Sequence, residues 1–168
     1  MTIMSTRESL AFGADLRSDT AALHGLVAAM LDPVRQAMRA DPARGIHALR
    51  DPTRGGLATT LNEIAGQSGV GMLIEEAAIP VRPQVEAACE FLGLDPLYVA
   101  NEGKLIAIVA AQDAEAVLAA MRAHPLGAEA ARIGTVTDDP HHFVQMATRF
   151  GGRRIVDWLT GEQLPRIC

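Results

Sequence analysis

The six residues 105–110 (LIAIVA) form an unbroken apolar run. The run is too short for a buried helix and has no polar face, so it reads as a strand covered on both sides. Such a strand needs layers above and below it, and the flanking sequence supplies them. Upstream, Leu57, Leu61, Ile64 and Ala65 recur at helical spacing after Gly55-Gly56, with Gly66 or Gly69 to end the helix. Residues 70–75 (VGMLIE) read as a strand, and Pro83 suits the first turn of a helix over 85–92 that stops at Gly93. Nearer the start, Leu23, Leu26, Val27, Met30 and Leu31 share one helix face, with Asp19 or Thr20 as the cap. Asp32-Pro33 interrupts that helix, a short helical piece runs on to Arg39, and Asp41-Pro42 opens a turn. Downstream, Asp113 is placed to cap a helix that turns Ala114, Val117, Leu118 and Met121 inward. Residues 131–137, 143–148 and 153–156 read as further strands. His141-His142, taken as a hairpin turn, and Gly151-Gly152 separate them. Helices interleaved with strands, followed by a run of strands, predict an α+β fold: a mixed β-sheet covered by helices.

A chain of 168 residues is large enough for one domain with its own core. Aromatic residues make up only 4%, so that core is expected to be Ala, Val, Leu and Ile. The formal net charge is −5 with both signs mixed along the chain, which argues against a nucleic-acid or anionic-membrane surface. No window suits a membrane-spanning helix and the start lacks a secretory pattern, so a cytoplasmic location is expected. Residues 1–15 read as a leftover strand and linker, 16–157 as the α+β domain, and 158–168 as a flexible tail containing Gly161 and Pro165.

Three places can carry chemistry. In Asp51-Pro52-Thr53-Arg54-Gly55-Gly56, bare backbone precedes a helix, and free N–H groups with the helix dipole make an anion site there. Arg54 can add a fork-like phosphate contact, and Asp51 can hold a metal or orient a hydroxyl. The alternative is an ordinary loop in which Thr53 caps the helix. In Asn101-Glu102-Gly103-Lys104, Glu102 stands at the mouth of the apolar strand, where burial would lift a carboxyl toward the range of a general base. The alternative is a turn with solvated Glu and Lys. Finally, Cys168 is the last residue, and a terminal thiol on an arm is a good group carrier. Cys89 lies in the apolar stripe of a helix and reads as a small buried hydrophobe. Two cysteines make neither a zinc site nor a Cys-x-x-Cys redox pair, no metal site is assigned, and no histidine is given a role.

Four segments together resemble the HypE family of hydrogenase-maturation proteins, within the aminoimidazole-ribonucleotide synthetase-related superfamily. They are Leu16-Arg17-Ser18-Asp19-Thr20-Ala21, residues 51–56 running into LATTLNEIAGQSGVGM, Asn101-Glu102-Gly103-Lys104 and the final Pro165-Arg166-Ile167-Cys168. The Pro-Arg-Ile-Cys ending is the discriminating one, and the resemblance covers essentially the whole chain. It implies that Cys168 accepts a carbamoyl group from HypF. ATP and Mg²⁺ would then drive dehydration of the thiocarboxamide to a thiocyanate, and a HypC–HypD complex would take the cyanide for a NiFe hydrogenase. It implies Glu102 as the acid–base residue, with Asp51, Thr53, Arg54, Gly55 and Asn101 toward the ATP phosphates. It also implies a protein about twice this length. A missing N-terminal domain would supply most ATP and Mg²⁺ contacts and a homodimer interface, leaving this chain inactive alone. Two alternatives remain at this point: a domain of another superfamily enzyme, or a non-catalytic anion-binding or docking module.

Overall fold

The computed structural model describes residues 18–159. The expected leftover strand at 1–15 and the tail from 160 onward, Cys168 included, lie outside the described residues. The chain forms α1 (His24–Leu31), a 3₁₀ turn (Asp32–Val34), α2 (Arg35–Ala40), β1 (Ile46–Arg50), α3 (Gly56–Ser68), β2 (Gly71–Glu75) and α4 (Pro83–Leu92). It continues through a 3₁₀ turn (Pro96–Tyr98), β3 (Ile106–Val109), α5 (Ala114–Ala123), β4 (Gly134–Thr137), β5 (Val144–Ala147) and β6 (Arg153–Ile155).

Two sheets result. β1 and β3 pair antiparallel, with an irregularity between Ile46 and Ala48. The other four strands form a mixed sheet in the order β4-β2-β5-β6, with β2 and β5 parallel. The fold class therefore agrees with the α+β expectation. The connection through His141-His142 is not a hairpin, however: it carries the chain past β2, which lies between β4 and β5. Gly151-Gly152 does close a hairpin, and Gly152 N–H donates to Thr148 Oγ1 (3.1 Å).

Two apolar clusters hold these elements. In the first, α3 lays Ala58, Leu61, Ile64 and Ala65 on Met72, Ile74, Val144 and Met146 of the mixed sheet. In the second, α1 and α5 close Leu26, Met30 and Val117 over Ile46. β3 serves both: Ile106 and Ile108 pack on the first cluster, and Ala107 and Val109, with Leu105 just before the strand, on the second. This two-faced demand explains the unbroken apolar run. In the row across the far face of the mixed sheet, Thr135 and Ile155 on the edge strands are exposed and Leu73 and Gln145 between them half-buried, whereas α3 covers the opposite face.

Methionine is more prominent in the core than expected. Met30 and Met146 head the largest fully buried side chains, filling volume that a chain poor in aromatics must fill otherwise. Two expected caps are not made. α1 starts at His24 without a side-chain cap, and the Asp19 carboxylate is engaged elsewhere. Asp113 stands at the start of α5 but does not cap it. Its carboxylate accepts from Arg44 Nε (2.9 Å), Arg44 Nη2 (2.5 Å) and Gly45 N–H (2.7 Å), tying α5 to the entry of β1. That partnership holds the Asp113 carboxyl down at about 2.

Candidate functional site

The antiparallel register of β1 and β3 sets Arg50 opposite Ile106. The loop that leaves β1 and the segment that enters β3 therefore emerge at the same end of that ribbon. These are the two stretches singled out in the sequence, 51–56 and 101–104. Asn101 N–H donates to Pro52 C=O (3.0 Å) and joins them. Asn101 Nδ2 donates to Val99 C=O (2.8 Å), and Lys104 Nζ donates to Asn101 Oδ1 (2.9 Å). Lys104 Nζ also reaches Asp19 Oδ2 (3.2 Å), which brings the Ser18-Asp19-Thr20-Ala21 segment to the same place.

The loop 51–55 turns sharply into α3. Gly55 (φ 70°) and Gly56 (φ 61°) are both left-handed, a geometry that other residues adopt at a cost. Gly56 also lies against backbone, where a Cβ would stand 2.5 Å from Leu97 O and 2.7 Å from Val99 O. Gly55 takes the N-cap position and α3 has no side-chain cap, so Thr53 does not cap it. Its carbonyl instead accepts from Gly56 N–H (3.2 Å). The helix start is thus left without a capping side chain, as an anion site requires. Just beneath Gly55, Thr59 Oγ1 is buried without a hydrogen-bond partner among the described residues, a feature no sequence pattern had singled out.

Asp51, Arg54 and Glu102 are exposed and make no hydrogen bond or ion pair among the described residues. For Glu102 this corrects the expected burial. It stands on a bend before β3, and the described residues do not cover it. Thr53, Gly55 and Asn101 are half-buried. Cys168 lies outside the described residues. Cys89 is 1% exposed, and burial pushes its thiol up, so it is the inert packing residue expected. Among the described residues no three His, Cys, Asp or Glu side chains gather as a metal site.

Neither of two concavities in the surface borders this cluster. One, of about 320 Å³, lies between α4 and the β5–β6 hairpin, with Glu86, Cys89, Arg149 and Arg154 in its wall. The other, of about 350 Å³, lies beside the start of β5 among Asn62, His142, Phe143 and Trp158. No helix of the described residues is long and apolar enough to cross a membrane.

Residues 1–147 match the family described as AIR synthase related protein, C-terminal domain. The chain is 69% identical over 166 residues to the carbamoyl dehydratase HypE of Cupriavidus necator, covering 99% of this chain and 45% of that protein. It is 67% identical over 168 residues to that of Azotobacter vinelandii, covering 100% of this chain and 47% of that protein. Among solved structures, a hydrogenase maturation protein HypE superposes with a TM-score of 0.88 at 51% identity, covering 99% of this chain and 51% of its own. A HypE in complex with ATP gives 0.83 at 49% identity, covering 99% of this chain and 48% of its own. A HypE–HypF complex gives 0.82 at 43% identity, covering 94% of this chain and 48% of its own. A PurL complexed with ATP, 16% identical with a TM-score of 0.51 over 78% of this chain and 20% of its own, shares the fold alone. The chain spans about half the length of the relatives it matches. From its matched residues and its fold alike, the chain belongs to the AIR synthase related protein, C-terminal domain, family.

Proposed function

We propose that this chain is the C-terminal half of a HypE-type carbamoyl dehydratase that builds the cyanide ligand of NiFe hydrogenases. In this reading 16–157 is the α+β domain, 1–15 leads in from an N-terminal ATP-binding domain, and 158–168 is the arm ending in the acceptor, Cys168. The supporting observation is the convergence of 51–56 and 101–104 at one end of the β1–β3 ribbon. It joins the loop that carries Asp51, Arg54 and the uncapped helix start to the bend that carries Glu102, with these charged groups unengaged among the described residues. A phosphate cradle and a base are the parts this reaction needs from the domain.

The chemistry follows from the poor leaving ability of an amide oxygen. The Cys168 thiocarboxamide oxygen attacks the γ-phosphorus of ATP and ADP departs. The nitrogen then gives up its two protons, the first to Glu102 and the second to the departing phosphate, as the C–O bond breaks. The carbon that remains is triply bonded to nitrogen, so thiocarboxamide and ATP become thiocyanate, ADP and phosphate. In the free chain Glu102 is exposed, so the water exclusion that would sharpen its basicity falls to the N-terminal half. The described residues do not form a Mg²⁺ site by themselves, and metal ligation is assigned to that half as well.

A HypE has been solved in complex with ATP and another in complex with HypF, which supports nucleotide use and HypF as the carbamoyl donor. HypC–HypD as cyanide acceptor, a homodimer and a cytoplasmic setting complete the proposal. The test is intact mass spectrometry after incubation with HypF, carbamoyl phosphate and ATP. A carbamoyl adduct mapped to Cys168 is expected, followed by loss of one water in the full-length protein. Absence of any adduct on a folded full-length version sinks the reading.

A further inference from the structure

Lys104 lies two residues beyond the proposed base, and its ammonium joins two of the three sequence segments. It donates to Asn101 Oδ1 (2.9 Å) and to Asp19 Oδ2 (3.2 Å). Between these anchors, Gly103 is pressed onto the backbone of residues 19–21, where any Cβ would overlap the Asp19 carbonyl oxygen. On its other side the bend is tied to the 51–56 loop through Asn101 N–H and Pro52 C=O (3.0 Å). The backbone that carries Glu102 is therefore fixed on both flanks, while Glu102 itself stays unengaged among the described residues.

This arrangement is poorly suited to a stabilising role. The side chains of Lys104 and Asp19 are 53% and 35% exposed, and an ion pair so hydrated adds little to folding. It is well suited to a geometric role. A short loop with one unengaged carboxylate gains direction from a cation that grips both its own Asn101 and a neighbouring segment.

We propose that Lys104, acting through Asn101 and Asp19, is the positioning residue that aims Glu102 at the thiocarboxamide nitrogen. The inference rests on the reading of Glu102 as the base, and adds how its aim is set and which other residues determine it. Because Lys104 holds the loop and does not take a proton, its removal slows turnover without weakening nucleotide binding.

The test compares Lys104→Met, Lys104→Arg, Asp19→Asn and Glu102→Gln in a full-length HypE carrying this chain as its C-terminal half, loaded by HypF. The readout is ATP-dependent conversion of the Cys168 adduct. Lys104→Met is expected to lower kcat by roughly 10- to 100-fold, the scale of a misplaced reacting group. KM for ATP should stay within about twofold, and the melting temperature within about 4 °C, the scale of a lost surface pair. Lys104→Arg, which keeps the charge and has N–H donors for both acceptors, should recover kcat to within about threefold. Asp19→Asn, which keeps an acceptor, should fall between them. Unchanged kcat in Lys104→Met beside an inactive Glu102→Gln overturns the positioning role and leaves the base intact. A kcat loss that tracks a large drop in melting temperature, and that Arg does not restore, overturns it as well. Full turnover by Glu102→Gln removes the underlying assignment of the base, and the inference with it.

Discussion

Gly56 packs its Cα against the carbonyl oxygen of Leu97, so closely that a Cβ would come within 2.5 Å of it. This contact seats the start of α3 on the 3₁₀ turn that leads to Asn101, and thereby holds the two candidate loops side by side. Gly56→Ala combines a left-handed φ of 61° with a clash against fixed backbone. It is expected to cost about 2–4 kcal/mol of unfolding free energy in urea titration. A loss no larger than that of an ordinary surface substitution would show that the loops are not held through this contact.

The Asp113–Arg44 pair gives the fold an acid limit. The Asp113 carboxyl is lowered from 3.8 to about 2 by Arg44 and the Gly45 N–H. Between those two values the unfolded chain binds the proton and the folded chain does not, so stability rises with pH across that window. The contribution is complete above about pH 4 and fades as pH falls toward 2. Asp113→Asn should lower stability at neutral pH and flatten this acid limb. An unchanged slope between pH 4 and 2 in that variant would assign the acid sensitivity to other carboxylates.

Much of this was legible from residue spacing. The helices ending at Gly69 and Gly93 were readable because a left-handed glycine closes each, and 105–110 because both faces of β3 meet a core. β1 was not, since Ile46 is its only buried side chain and the alternation is too weak to mark a strand. The hairpin expected at His141-His142 failed because strand order is a long-range property, and β2 takes the place between β4 and β5. At the site, the segments 51–56 and 101–104 were recognisable separately. Their adjacency comes from the β1–β3 register, which the sequence does not display. Lys104 read as a solvated charge because both its partners, Asn101 and Asp19, are revealed only by tertiary contact.

Cys89 and Cys168 should be chemically unequal. With Cys168→Ser in place, the thiol that remains is 1% exposed and its pKa is raised by burial, so little thiolate forms at neutral pH. A thiol reagent is expected to leave the native variant unmodified and to label one site per chain after denaturation. Rapid labelling of the native variant would mean that α4 opens readily.

Asn62 gives the last prediction, because it fixes the point from which the chain runs on toward Cys168. Its Nδ2 donates to Ala58 C=O within α3 and to Val156 C=O just after β6, both at 2.9 Å. Val156 is fully buried, and its N–H is already used on Val144 C=O, so the second bond satisfies a carbonyl that water does not easily reach. Asn62→Ala leaves that carbonyl without its donor, which costs about 1–3 kcal/mol. Asn62→Asp is worse despite its similar shape, because an ionised carboxylate can only accept and would face two carbonyl oxygens. Urea titration at neutral pH should therefore rank wild type above Asn62→Ala and Asn62→Ala above Asn62→Asp. The gap between the two variants should narrow as pH falls toward about 4, the ordinary carboxyl value, because the two carbonyl oxygens favour the protonated carboxyl, which regains a donor. Asn62→Asp as stable as wild type at neutral pH, with only Asn62→Ala weakened, would show that Asn62 acts by filling space, and that the exit of the chain from β6 is held by other contacts.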